Sequence, residues 1–129
     1  MTAELKKIAV QTQEPSYNIQ AEARWIGEDL LVWIWGGEVP HIGAVAMAQP
    51  RPSLADPAVT SATASVFTYV GHKEDQLTKE TAETLAAALE TKVVVTAGIH
   101  WDHLPAEVIE IVVANSRKLV QLLLEKLGA

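Results

Sequence analysis

The segment Val93–Asp102 (VVVTAGIHWD) constrains the fold of this chain more than any other segment. It begins as an apolar, β-branched run, which predicts a buried strand. It ends in polar side chains that a hydrophobic core does not need. Pro105 follows, at the first turn of the last long apolar-periodic segment. The sequence therefore predicts a buried strand that brings histidine and carboxylate side chains to the start of a helix.

Five further strands and one further helix are predicted before this segment. The predicted strands are Leu5–Thr12, Asn18–Ile26, Leu30–Trp35, His41–Ala48, Ser61–Val70 and Lys92–Gly98, and the predicted helices run from Asp75 or Thr78 to Glu90 and over Pro105–Leu127. Strands mostly in succession, followed by helices, indicate an α+β fold. We expect a mainly antiparallel sheet of about six strands with two helices packed on one face, in a single domain over residues 1–129.

Two segments predict features beyond the sheet and its helices, namely a long loop and a surface for a second copy of the chain. Gln49–Thr60 holds three of the six prolines and is predicted to be a loop about as long as compact domains usually tolerate without a functional reason. The last helix is apolar over a wider arc than one sheet face buries. This excess of apolar surface predicts a homodimer.

The charge and composition exclude several classes of function. Net charge is −6 and no basic stripe is present, so nucleic acid is not an expected partner. The chain has no cysteine, which excludes disulfides and thiolate catalysis and fits a cytoplasmic protein. No signal-peptide pattern opens the sequence, and polar residues interrupt the C-terminal apolar segment, so no membrane span is predicted.

Three glycine-containing turns carry all four histidines: Gly36–Gly43 (GGEVPHIG), Gly71–Asp75 (GHKED) and Gly98–His103 (GIHWDH). Three kinds of site fit these turns. His100, Asp102 and His103 could ligate a metal, or a His/Asp pair could serve acid–base catalysis, although no nucleophile accompanies it. The third kind is a site for an anionic aromatic ligand, because both helices begin directly after a cluster and helix N-termini attract phosphate.

The three motifs together resemble one small family. GGEVPHIGAVAMAQPRPS, GHKEDQLTKETAETLA and VVVTAGIHWDHL are similar to segments of the small accessory subunit of gallate decarboxylase-type enzymes, a family of prenylated-flavin chaperones. The resemblance covers most of the chain from Trp33 onward. It implies a non-catalytic protein that binds prenylated FMN and passes it to the catalytic subunit of a UbiD-type aromatic acid decarboxylase. Plain FMN is a second candidate ligand, and a ligand-free accessory subunit is the alternative role.

The positions of these motifs in the chain suggest roles for individual residues. His72 and Lys73 are expected at the phosphate, and His41 and His100 are expected to hydrogen-bond the flavin or its phosphate. Asp102 is expected to orient His100. The remaining predicted cofactor-binding positions are Gly36, Gly37, Gly43, Gly98 and Trp101.

Overall fold

The computed structural model describes residues 7–69 and 74–128, which form one sheet and two helices. The strands are β1 (Lys7–Gln11), β2 (Ile19–Ile26), β3 (Asp29–Gly37), β4 (Ala44–Pro52), β5 (Thr60–Thr68) and β6 (Val93–His100), and the helices are α1 (Asp75–Leu89) and α2 (Ala106–Leu127). The predicted α+β fold is confirmed. Leu5, where the first strand was predicted to begin, lies outside the described residues.

The strand order in the sheet is β1-β2-β3-β6-β4-β5. Neighbouring strands are antiparallel except β3 and β6, which run parallel in the register Leu30↔Val93 to Gly37↔His100. Because β6 lies between β3 and β4, the chain must cross the end of β6 on its way from β3 to β4. β3 is central, as its apolar sequence predicts.

Both helices cover the same face of the sheet. α1 packs on β4, β5 and β6, while α2 packs on β1 and β2 and touches α1. Alternate residues of each strand face the helices, as the period of two requires. The core includes these fully buried side chains: Ile19, Leu30, Val32, Leu85, Val93, Val95, Leu119 and Leu123.

The small residues of β4 allow helix α1 to pack closely on the sheet. Ala44, Ala46 and Ala48 are buried, as are Ala82 and Ala86 on α1, which packs on β4. Short side chains on both surfaces let a helix approach a sheet closely. The small-residue pattern of β4 is therefore accounted for by packing within the chain.

The loop predicted over Gln49–Thr60 is shorter than expected and spans residues 53–59. β4 continues to Pro52, and its last residues pair with β5 in the register Pro50↔Ala62 and Pro52↔Thr60. Prolines are tolerated there because β4 pairs with β6 only as far as Ala48, so beyond that residue one side of β4 needs no N–H donor. The turn over residues 53–59 lies at the far end of β4, about 25 Å from its first residue at 3.3 Å per residue.

The helices begin and end close to their predicted bounds. α1 starts at Asp75, not Thr78, and its N-cap residue Glu74 makes no side-chain capping bond. Thr78 is buried and donates its hydroxyl hydrogen back to the Glu74 carbonyl at 2.5 Å. Neither helix in the described residues is long and apolar enough to cross a membrane. Most of the apolar arc of α2 is at least half-buried within the chain, and the exposed large apolar residues of α2 are Ile109, Ile111 and Val113.

Candidate functional site

One edge of the sheet brings most of the predicted site residues together. The carboxyl ends of β3 and β6 meet there because the two strands are parallel. β4 begins at the same edge, and α2 follows directly from it. We call this the glycine–histidine edge, defined by Gly36, Gly37, His41, Gly43, Gly98, His100, Trp101 and Asp102. The predicted residues His72 and Lys73 lie outside the described residues.

Two glycines of this edge allow the backbone to cross itself closely. A methyl group at Gly98 would overlap the carbonyl group of His41, and one at Gly37 would overlap the carbonyl of His100. Gly37 also has a φ of 88°, which disfavours other residues. The next residue, Glu38, donates its N–H to the His100 carbonyl at 2.7 Å. These glycines therefore hold the β3–β4 crossover against the end of β6.

A carboxylate lies inside this crossover. Glu74 Oε1 accepts a hydrogen bond from the Ile99 backbone N–H at 3.2 Å and lies 3.0 Å from His41 Nε2. The other ring nitrogen of His41 lies 2.8 Å from the carbonyl oxygen of Val39. A methyl group at Gly43 would approach Glu74 Oε2 to 2.5 Å. Glu74 thus links the N-terminus of α1 to β6 and to the crossover, and its side chain is only 10% exposed.

A second histidine–carboxylate pair lies at the same edge but faces solvent. His100 Nε2 lies 2.8 Å from Asp102 Oδ1, and both side chains are about half exposed, at 48% and 58%. The predicted orientation of His100 by Asp102 matches this contact. An exposed imidazole with a fixed ring is available for hydrogen bonding to a ligand, whereas His41 is largely enclosed.

Trp101 is half-buried and packs against the rim of the core. Its ring meets Tyr17 edge to face, with ring centroids 5.1 Å apart. Trp25 also packs against the core, while the indole N–H of Trp33 donates to Glu22 Oε1 at 3.0 Å. These contacts with the core and with Tyr17 therefore hold the Trp101 ring in place without a ligand.

Both helix N-termini face this edge, as the sequence predicts. α1 begins beside Glu74, which contacts β6, and α2 begins five residues after β6 ends, with Pro105 at its N-cap. Free backbone N–H groups and the helix dipole favour anions at such positions. The first turns also carry the acidic residues Asp75 and Glu107, so a bound phosphate would need a nearby cation as well.

The metal site considered for His100, Asp102 and His103 does not form. Within the described residues, no three His, Cys, Asp or Glu side chains are placed to hold a metal ion. His103 has a φ of 55°, a left-handed turn that interrupts the extended chain after β6. The His100–Asp102 pair therefore stands without a third ligand from His103.

Two open grooves lie elsewhere, along β1 and α2. One has a volume of about 470 Å³ and is lined in part by Gln11, Gln20, Trp35 and Lys126. The other measures about 520 Å³ and lies between residues 11–14 and Lys118. Neither is lined by a residue of the glycine–histidine edge, so each is a competing location for a ligand.

Glu74 is the main residue of this edge that the sequence analysis did not select. Lys73 and Asp75 flank it in sequence, and a charged run of this kind is typical of the polar residues that precede a helix. The available signal was its position directly before the first residue of α1, in a motif that already contained a histidine. The contact with His41, 33 positions away along the chain, depends on the tertiary fold.

The chain resembles known proteins in both sequence and fold. A family model of the prenylated flavin chaperone LpdD-like domain matches residues 13–128. No match was found among curated proteins. Among solved structures, the fold is similar to a chain of a novel chaperone complex for yeast 20S proteasome assembly, with a TM-score of 0.61 and 12% identity over 97% of this chain and 96% of that one. At that identity the structural likeness shows the fold alone.

Proposed function

The chain belongs to the prenylated flavin chaperone LpdD-like family, and from this premise we propose that it binds prenylated FMN and delivers it to a UbiD-type decarboxylase. The observation that carries the proposal is the family match over residues 13–128, which includes every residue of the glycine–histidine edge. The protein performs no reaction itself and acts in the cytoplasm. Plain FMN shares the phosphate and the flavin ring and is the second candidate ligand of the same site.

The flavin binds at the exposed side of the glycine–histidine edge. His100, held by Asp102 at 2.8 Å, hydrogen-bonds the ring or the phosphate. Lys73 supplies the positive charge that the acidic first turns of both helices require, and His72 meets the phosphate beside it. Gly37, Gly43 and Gly98 act indirectly, since the chain's own atoms fill the space beside them. Their role is to shape the edge on which the flavin lies.

A carrier must release its ligand, so moderate affinity suits it better than tight enclosure. The half-exposed His100–Asp102 pair fits this requirement because hydrogen bonds made near solvent contribute little net free energy. The enclosed His41–Glu74 pair instead supports the backbone around the site. The division between an exposed and an enclosed pair is the physical basis of reversible binding in this proposal.

Co-expression with the prenyltransferase that makes the cofactor tests the proposal. We expect the protein, purified without oxygen, to carry flavin absorbance and the mass of prenylated FMN in the bound fraction. Recovery of colourless protein under these conditions would argue against a carrier.

Two variants separate the proposed site from the groove along β1. His100→Ala removes a side chain that is half exposed, so we expect reduced flavin occupancy with unchanged thermal unfolding. Trp35→Leu alters the groove beside Gln20 and should leave occupancy unchanged. If Trp35→Leu lowers flavin occupancy and His100→Ala does not, the ligand binds in the groove along β1 instead.

A ligand-free accessory subunit is the second candidate function. The acidic residues at both helix N-termini favour it, because they already compensate the positive ends of the helix dipoles. This candidate predicts stable co-purification with a decarboxylase that His100→Ala does not alter. Loss of cofactor transfer to the decarboxylase in the same variant would instead support the carrier.

A further inference from the structure

The face of the sheet opposite the helices is uncovered, and it is largely apolar where β3, β6 and β4 lie side by side. Within residues 7–69 and 74–128, no helix or strand packs on this face, which we call the outer face. Its largest exposed side chains on β4 and β5 are Met47 and Phe67, at 61% and 64%. Both residues lie on the side of the sheet that faces away from the helices.

The strand register arranges the apolar residues of this face in two rows that cross the sheet. One row contains Leu31, Val94 and Met47, which are cross-strand partners on β3, β6 and β4. The next row contains Trp33, Thr96, Val45 and Phe67. Between β3 and β5 neither row includes a charged residue, whereas on β2 the two rows continue to Arg24 and Glu22. Cross-strand neighbours of this kind form one continuous patch, which we call the outer patch.

The size of the outer face suits a protein partner. Six strands about 4.8 Å apart and about eight residues long, at 3.3 Å per residue, give roughly 600 Å². Two such faces stacked together bury roughly 1,200 Å², which reaches the lower bound of stable, specific interfaces. Stacked sheets pack face to face at about 10 Å with their apolar rows interdigitated.

We propose that the outer face, with the outer patch as its apolar part, is the contact between two copies of this chain, which form a symmetric dimer of stacked sheets. A second copy carries the same net charge of −6, so a self-contact must avoid juxtaposed charges. The outer face meets this condition because the outer patch is uncharged and the flanking charges on β1 and β2, Lys7, Glu22 and Arg24, are of both signs. An apolar patch is also complementary to itself under a two-fold axis.

The alternative surface for a second copy is the exposed side of α2, which presents less continuous apolar surface. Ile109 and Val113 lie one turn apart, but Ile111 lies about 200° around the helix from Ile109 at 100° per residue. The three exposed apolar side chains of α2 therefore do not form one stripe. The outer patch is broader and is set on adjacent paired strands.

Sedimentation velocity of the intact chain, over about 1 to 100 µM, tests the proposal. We expect a dimer that Met47→Lys and Phe67→Lys each weaken by about 100-fold in Kd, because each places an unpaired charge inside the contact. Both side chains are mostly exposed, so these variants should fold with unchanged circular dichroism and thermal unfolding. The two substitutions are independent, so one that fails to fold leaves the other as the test.

Leu54→Lys and Ile109→Lys are the matched controls. Leu54 is 92% exposed on the β4–β5 turn, and Ile109 is exposed on α2, so both should leave the dimer intact. A wild-type chain that stays monomeric at the highest concentration would overturn the proposal. So would dissociation caused by Ile109→Lys but not by Met47→Lys, or a monomer whose outer patch is needed only to bind a decarboxylase.

Discussion

At the scale of single residues, glycine at this edge is required by the chain's own backbone. Gly98 is a buried position on a parallel central strand, where a β-branched residue would normally be favoured. The carbonyl group of His41 occupies the space that a side chain would need. The positions of these glycines in the sequence suggest a role in ligand binding, and the structure adds a packing reason that is independent of any ligand.

We predict that Gly98→Ala destabilises the protein by about 3 kcal/mol or more, because the crossover and β6 would have to separate. Gly36→Ala is the matched control. Its added methyl group would meet its nearest atom, the Asn18 carbonyl oxygen, at 3.4 Å, so we expect a cost of about 1 kcal/mol or less. Urea unfolding followed by tryptophan fluorescence measures both, and equal costs would contradict the backbone-crossing argument.

Glu74 provides a second residue-scale prediction. Glu74→Ala removes the acceptor of the Ile99 N–H and the partner of His41, so we expect a loss of about 2 kcal/mol. Glu74→Gln keeps an acceptor of the same shape and should recover part of that loss. Glu83→Ala removes only a partly exposed pair with Lys79 and should cost about 0.5 kcal/mol or less. Thermal and urea unfolding of the three variants distinguish a structural link from a surface charge.

At the scale of elements, α2 is anchored to the β1–β2 connection by one buried amide. Asn115 Nδ2 donates to the carbonyl oxygens of Ser16 and Tyr17, at 3.0 and 2.8 Å. Tyr17 has a φ of 58° and packs on Trp101. The amide therefore fixes a strained turn that supports the tryptophan of the glycine–histidine edge, and it couples the middle of α2 to that edge.

We predict that Asn115→Asp destabilises the protein by about 3 kcal/mol, because a buried carboxylate cannot donate to two carbonyl oxygens. Ser116→Ala, at the neighbouring buried position, removes only a bond to the Val112 carbonyl of the same helix and should cost about 1 kcal/mol or less. Near-ultraviolet circular dichroism should also report a change at Trp101 in the aspartate variant. An unchanged spectrum would show that the amide does not position the tryptophan.

At the scale of the whole molecule, β6 completes the sheet. It follows every other strand in sequence but lies between β3 and β4, so the sheet closes only when β6 inserts. β6 is paired on both sides and covered by α1 on one face, whereas β1 is a short edge strand. Local stability should therefore differ strongly between the two strands.

Native-state hydrogen exchange measures this difference. We expect the amides of Val93–Ala97 to exchange among the slowest in the molecule, at a rate set by global unfolding, and those of β1 to exchange by local opening. The dimer adds no backbone hydrogen bonds in the proposed stacking, so this order should hold at low and high protein concentration. Fast exchange in β6 would contradict its central place in the sheet.

The sequence by itself determined the class of fold, the strands and helices to within a few residues, and the glycine and histidine residues that follow the strand ends. These features follow from local patterns: β-branched runs, the periods of 2 and 3.6, and the turns that end each element. Only the tertiary structure decided that β6 lies between β3 and β4, that β4 extends to Pro52 into the segment Gln49–Thr60, that Glu74 meets His41 and that His103 leaves the cluster. Each of these depends on contacts between residues far apart in the chain, whose pairing no local pattern encodes.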